Sequence, residues 1–190
     1  MMLKHRSLLL SSLLPLVFGG FCDAPGWSLS FQDEFSGSSL NETNWNILNG
    51  TVDNDSSCRD AMCLTDNVSV ENGALLLTAK RQNAGWAQYT TGAVNSQNKR
   101  FFQATVDQPF RLCVSGKVPG GNGVGAGLWP AFWMMPNDNS CWPDHGEQDI
   151  FEMVCNELHV SVSTECATLM DACQRNVLPS WTPCLRLSMS

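Results

Sequence analysis

Apolar residues recur along this chain in short two-residue alternations broken by polar turns, the spacing of strands rather than helices. Residues 31–35 read as a first short strand. Residues 36–66 are rich in Gly, Asn, Asp and Ser and read as a long loop region, with Trp45 as its large apolar anchor. Val68 and Val70 alternate, Glu71-Asn72-Gly73 turns, and residues 74–79 run apolar. An Asn-Gly pair between two such runs predicts a hairpin. Residues 90–95 and 100–106 predict a second strand pair around Ser96-Gln97-Asn98-Lys99. Phe110, Leu112, Val114 and Val118 alternate with polar neighbours as in a half-buried strand. Residues 119–127 are nearly all Gly, Pro and Asn, and read as a loop. The next predicted strand, 128–135, puts Trp129, Ala131 and Trp133 on one face and Leu128, Pro130, Phe132 and Met134 on the other. Residues 158–162 read as a further strand and 168–175 as a short helix. No segment sustains a 3.6-residue apolar repeat, so the chain is expected to be all-β, a sandwich or barrel.

One stretch departs from ordinary strand composition. Trp142-Pro143-Asp144-His145-Gly146-Glu147-Gln148-Asp149-Ile150-Phe151-Glu152-Met153 sets three carboxylates among core-type residues. Carboxylates are rarely buried unless paired. Acids threaded through such a strand line a cleft, bind a metal or do chemistry. Side chains on a strand alternate, so Glu147 and Asp149 share a face while Glu152 falls out of phase. A bulge at Ile150-Phe151 restores the phase, because two residues then oppose one on the partner strand. Two glutamates on one groove suit retaining glycoside hydrolysis, which sets a nucleophilic carboxylate and a proton donor about 5 Å apart. Like charges crowded together push one pKa up, so one glutamate can stay protonated as the acid. Oxygen ligands also suit calcium or magnesium, but no second ligand cluster with loop spacing accompanies the acids, and no metal is expected.

The motif Glu147-x-Asp149-x-x-Glu152, preceded by Trp142-Pro143 and Gly146, resembles the signature of glycoside hydrolase family 16. The six-residue form is similar to that of the laminarinase-like β-1,3-glucanase branch. The block Gly127-Leu128-Trp129-Pro130-Ala131-Phe132-Trp133-Met134 and the opening Phe31-Gln32-Asp33-Glu34-Phe35 also match the family. The resemblance spans residues 29–154. It implies a curved β-jelly-roll sandwich, with Glu147 as nucleophile, Asp149 as its assistant and Glu152 as acid/base. The implied activity is endo-acting, retaining hydrolysis of a β-glucan, with β-1,3-linked glucan favoured and no cofactor needed. Trp129 and Trp142 are the expected stacking platforms for glucose rings, and Trp133 serves core or cleft. Asn95 is a candidate for bonding a sugar hydroxyl, and His145 for bonding substrate or Asp144. The alternatives are a non-catalytic β-glucan-binding module and a small secreted interaction protein.

Composition narrows the setting. With 190 residues the chain is long enough for one domain. A net charge of −7 and the lack of a basic run argue against a nucleic-acid partner. The expected partner is a polysaccharide, met by a monomer. Seven tryptophans against one tyrosine favour flat apolar surfaces, the kind that sugar rings stack on. Nine cysteines point to an oxidising compartment. Lys4, His5 and Arg6, the apolar run from 8 to 18 and small residues to Ala24 read as a secretory signal peptide over 1–22, cleaved between 22 and 24. No membrane is expected for the mature form. Sequons at Asn41, Asn49, Asn54 and Asn67 accord with a glycosylated, extracellular surface. Cys58 and Cys63 enclose a small loop and are one candidate bridge. Cys113 and Cys141 are another, and the four allow three pairings that sequence does not rank.

The partial jelly-roll is thus expected over 25–154. Residues 155–190 carry cysteines 155, 166, 173 and 184 and no family motif, and read as an atypical tail. The C-terminal strands of the sandwich are expected to be incomplete, which exposes core faces and sheet edges.

Overall fold

A computed structural model describes residues 1–6, 25–50, 58, 61–105, 107–118, 127–137, 146–154, 157–160 and 181–189. These residues form strands and one 3-10 turn at Thr65–Asn67, with no α-helix among them. The expected helix at 168–175 lies outside the described residues.

The largest sheet has six strands. In chain order its members are β3 (Asn46–Ile47), β9 (Ala93–Asn95), β11 (Leu128–Pro136), β12 (Gln148–Val154), β13 (Glu157–Val160) and β14 (Trp181–Met189). Their spatial order is β13-β12-β11-β14-β9-β3, with every pairing antiparallel. A three-stranded sheet runs β10-β1-β2, from β1 (Met2–Arg6), β2 (Trp27–Gln32) and β10 (Phe110–Cys113). A second runs β4-β8-β7, from β4 (Met62–Cys63), β7 (Lys80–Ala84) and β8 (Ala87–Thr91). β5 (Val68–Glu71) and β6 (Ala74–Leu77) form the predicted hairpin. Its two turn residues, Asn72 and Gly73, both take positive φ, 53° and 75°, as a right-twisting two-residue turn requires.

The main core lies between the six-stranded sheet and the β10-β1-β2 sheet. Val94 from the first packs with Leu3 and Phe31 from the second, and Trp45 and Phe102 complete the buried cluster. Ile47, Phe110 and Leu112 close against it. Phe31 sits edge-on to Trp45 and tilted against Phe102, the non-parallel geometries that aromatic quadrupoles favour. The opening Phe31–Phe35 motif has a structural task here. Asp33 Oδ2 accepts the indole N–H of fully buried Trp45 at 2.8 Å. Its Oδ1 accepts the backbone N–H of Phe35 at 2.9 Å, which holds Phe35 at φ 51°.

Two expectations meet a different arrangement. The first strand lies at 27–32 rather than 31–35, because Asp33 turns the chain. Among the described residues, 100–105 do not pair with 90–95, where a strand pair over 100–106 was expected. Ser96 O accepts the N–H groups of Lys99 and Arg100, and Ser96 Oγ donates to Arg100 O, so the chain coils tightly where a hairpin was expected. β9 pairs instead with β14 and β3. The β7–β8 hairpin has no counterpart in the predicted elements, since Lys80–Asn83 are polar and exposed, with no alternation to read. Separately, Met2–Arg6 is the middle strand of the β10-β1-β2 sheet, with Leu3 fully buried. The N-terminal ammonium donates to Asp33 O at 2.7 Å.

Candidate active site

β12 carries the acids, and its pairing with β11 fixes their facing. Glu152 lies opposite Ala131 and Phe151 opposite Phe132, but Asp149 lies opposite Trp133. Ile150 is the extra residue of a β-bulge, seen as a register shift between Phe132 and Trp133. Ala131 and Trp133 are two residues apart on β11 and so share a face. Asp149 and Glu152, three residues apart, therefore share it too, as the sequence spacing required. Gly146 precedes the strand at φ 83°, a conformation that glycine reaches without steric cost. Glu147 follows it, exposed, just ahead of the first paired residue Gln148.

Registers across the whole sheet extend this face. One lateral row reads Asp149, Trp133, Cys184, Asn95 and Asn46, each opposite the next. A second row reads Glu152, Ala131, Arg186 and Ala93. Between them runs Phe151, Phe132, Leu185, Val94 and Ile47, whose Val94 and Ile47 belong to the main core. Adjacent positions on a strand point to opposite faces. The acid rows therefore occupy the face turned away from the core, where a sandwich can present a cleft.

Side-chain contacts organise that face. Trp129 Nε1 donates to Glu152 Oε1 at 2.5 Å. The sequence assigns Trp129 to stacking on sugar; the structure gives its indole N–H to a carboxylate. Trp133 is buried with Ala131 and Met135 in a small apolar cluster beside the acids. Asn95 Oδ1 accepts from Asn46 Nδ2 at 2.9 Å and from the backbone N–H of Gln97 at 3.2 Å. Asn46 Nδ2 also donates to Gln97 O. The sequence did not single out Asn46. It follows Trp45 in a two-residue strand, and only the register with Asn95 reveals its place. Arg186 was missed likewise, since its row position depends on β14 lying between β11 and β9. Trp142 and His145 lie outside the described residues. Cys58 and Cys63 are joined in a disulfide, as their spacing allowed. Cys113 is also disulfide-bonded, and the expected partner Cys141 lies outside the described residues.

An all-β sandwich with Asp149 and Glu152 on one face of its largest sheet is an architecture that can carry carbohydrate chemistry. Residues 117–180 match the family model described as an XgeA-like, catalytic GH16 domain, a match that runs beyond residue 154. The chain is 32% identical over 146 residues to a glucan endo-1,3-beta-glucosidase A1 of Niallia circulans, covering 67% of this chain and 20% of the relative. It is also 32% identical over 153 residues to a glucan endo-1,3-beta-glucosidase of Cryptopygus antarcticus, covering 73% of this chain and 50% of the relative. The laminarinase catalytic domain of Thermotoga petrophila superposes with a TM-score of 0.59 at 17% identity, covering 86% of this chain and 87% of that one. The laminarinase of Flavobacterium sp. UMI-01 gives 0.57 at 23% identity, covering 86% and 89%. These solved structures establish the jelly-roll fold. The family match over 117–180 and these relatives show what the chain is similar to, the β-1,3-glucanases and catalytic domains of glycoside hydrolase family 16. It spans half or less of the length of the curated relatives it matches.

Proposed function

We propose that this chain is a secreted, endo-acting, retaining hydrolase of β-glucans, with β-1,3-linked glucan as its main substrate. The observation that carries the reading is the bulge at Ile150, which gives Asp149 and Glu152 a common face opposite Trp133 and Ala131. The names of the relatives, glucan endo-1,3-beta-glucosidases, support the substrate class.

In the proposed mechanism Glu147 attacks the anomeric carbon while Glu152 protonates the departing glycosidic oxygen. The covalent glycosyl-enzyme is then cleaved by water, with Glu152 now taking the proton. Asp149, between them in sequence, supports the nucleophile. Trp129 orients the acid/base through its indole N–H. Asn95 and Asn46, farther along the row that begins at Asp149, bind sugar hydroxyls. Trp142 supplies a stacking platform.

The test is Glu147→Gln assayed on laminarin by release of reducing ends. Turnover is expected to fall by at least about 10³-fold, in line with loss of a catalytic nucleophile. Near-normal turnover in that variant sinks the assignment. NMR of the first product formed by the unaltered chain is expected to show the β-anomer; the α-anomer refutes retention. Laminarin binding with no reducing ends released by the unaltered chain replaces the hydrolase with a glucan-binding module.

A further inference from the structure

The four sequons look alike in sequence, but the structure separates two of them. Asn41, Glu42 and Thr43 are all exposed. Asn41 Oδ1 accepts the backbone N–H of Thr43 at 3.1 Å and also the Thr43 hydroxyl. Its backbone oxygen accepts the N–H groups of Asn44 and Trp45, which roots the turn on a fully buried tryptophan. No described residue bonds Asn41 Nδ2. The amide nitrogen is therefore open on a rigid, accessible turn, with the sequon hydroxyl already on the amide oxygen.

Asn67 is the reverse case. It is 2% exposed. Both hydrogens of Nδ2 are engaged, one by Thr78 O and one by Thr90 Oγ1, each at 2.9 Å. Its backbone oxygen accepts Thr78 N–H at 2.8 Å. A glycan on Nδ2 replaces one of those hydrogens and needs a path to solvent that the packing does not leave. The fully buried Thr90 hydroxyl or the Thr78 carbonyl would lose the Asn67 donor.

We propose that Asn41 is an N-glycan acceptor of the folded protein and that Asn67 is not, its amide being a structural tie among the 3-10 turn, β8 and the end of β6. The proposal rests on the secretion included in the function above. The reaction is a glycosyl transfer from a lipid-diphosphate-linked oligosaccharide. Asn41 Nδ2 bonds to the anomeric carbon, and the bond from that carbon to the diphosphate oxygen breaks. The lipid diphosphate leaves with the electron pair, and a base of the transferase takes the Nδ2 proton. Asn49 is exposed, with Oδ1 held by Thr65 N–H at 3.1 Å, but its Thr51 lies outside the described residues.

The experiment places the full chain behind the secretory leader of a yeast host, which assures entry to the lumen whatever its own leader does. The secreted fraction that survives brief proteolysis is treated with peptide-N-glycosidase in ¹⁸O-water and mapped by mass spectrometry. Most copies are expected to carry ¹⁸O-aspartate at position 41 and unlabelled asparagine at 67. Asn41→Gln and Thr43→Ala are each expected to remove one glycan on a gel, and Asn67→Gln none. An unlabelled Asn41, or a labelled Asn67 in the protease-resistant fraction, overturns the proposal. The mapping uses the unaltered chain, so a poorly folding Asn67→Gln does not blunt it. Retention of the chain in the cytosol under its own leader sinks the secretion reading instead, and leaves the site assignment standing.

Discussion

Replacing Trp129 with Phe tests the proposed site most directly, because it removes one N–H and keeps an aromatic ring. The indole N–H donates to Glu152 Oε1 at 2.5 Å, a contact that is charge-assisted in the second step of the proposed mechanism, where Glu152 is the ionised base. Hydrogen bonds to charged groups contribute about 1.5–3 kcal/mol. Glu152 is only half-buried, so water replaces part of the loss and the lower end, about 1.5 kcal/mol, applies. At about 1.4 kcal/mol per tenfold, that predicts a roughly tenfold fall in kcat/KM. The fall is expected mainly in kcat, because the contact fixes the carboxylate that moves the proton rather than one that only holds glucan. The assay is reducing-end release from laminarin across a range of concentrations, with circular dichroism to confirm the fold. A kcat within about twofold of the unaltered chain, or a loss wholly in KM, refutes the orienting role.

Two stability predictions follow from the packing. A Cβ on Gly92 would lie 2.3 Å from Asn67 O, the atom that accepts Thr78 N–H, so Gly92→Ala must push β9 away from the 3-10 turn. Overpacking of about 1–3 kcal/mol plus a strained hydrogen bond predicts roughly 3 kcal/mol of destabilisation in urea unfolding. Gly116→Ala is the control, since its Cβ meets only Phe151 Cε1 at 3.9 Å; equal loss in both variants refutes the steric account. Asp33→Ala strips the buried Trp45 indole of its acceptor and should cost about 2–3 kcal/mol, with Asp33→Asn recovering part of it. A change below about 0.5 kcal/mol in Asp33→Ala, within ordinary surface-substitution scatter, would show that Trp45 is held by packing alone.

The sequence announced the bulge because a three-residue gap between acids cannot sit on one face of a regular strand. It announced β5–β6 because Asn72-Gly73 is the local chemistry of a tight turn. Strand 128–136 was legible from its unbroken apolar run. What stayed hidden depends on partners distant in the chain. The coil at Ser96–Arg100 looks like a hairpin tip until the Ser96 hydroxyl is seen to tie it. Asn46 and Arg186 take their row positions beside the acids only through registers spanning five strands and three strands respectively. Met2–Arg6 resembles the start of an export leader, and no local pattern says that it can also pair with β2 and β10. The motif offers Trp129 as a candidate site residue, but a sequence does not show which group an indole N–H will meet.

The place of β14 makes the sheet depend on a distant stretch of chain. Among the described residues, β14 lies between β11 and β9 and joins the acid-bearing half of the sheet to the half that carries Asn95 and Asn46. A nick that frees 181–189 would part the two halves while leaving Glu147, Asp149 and Glu152 in place.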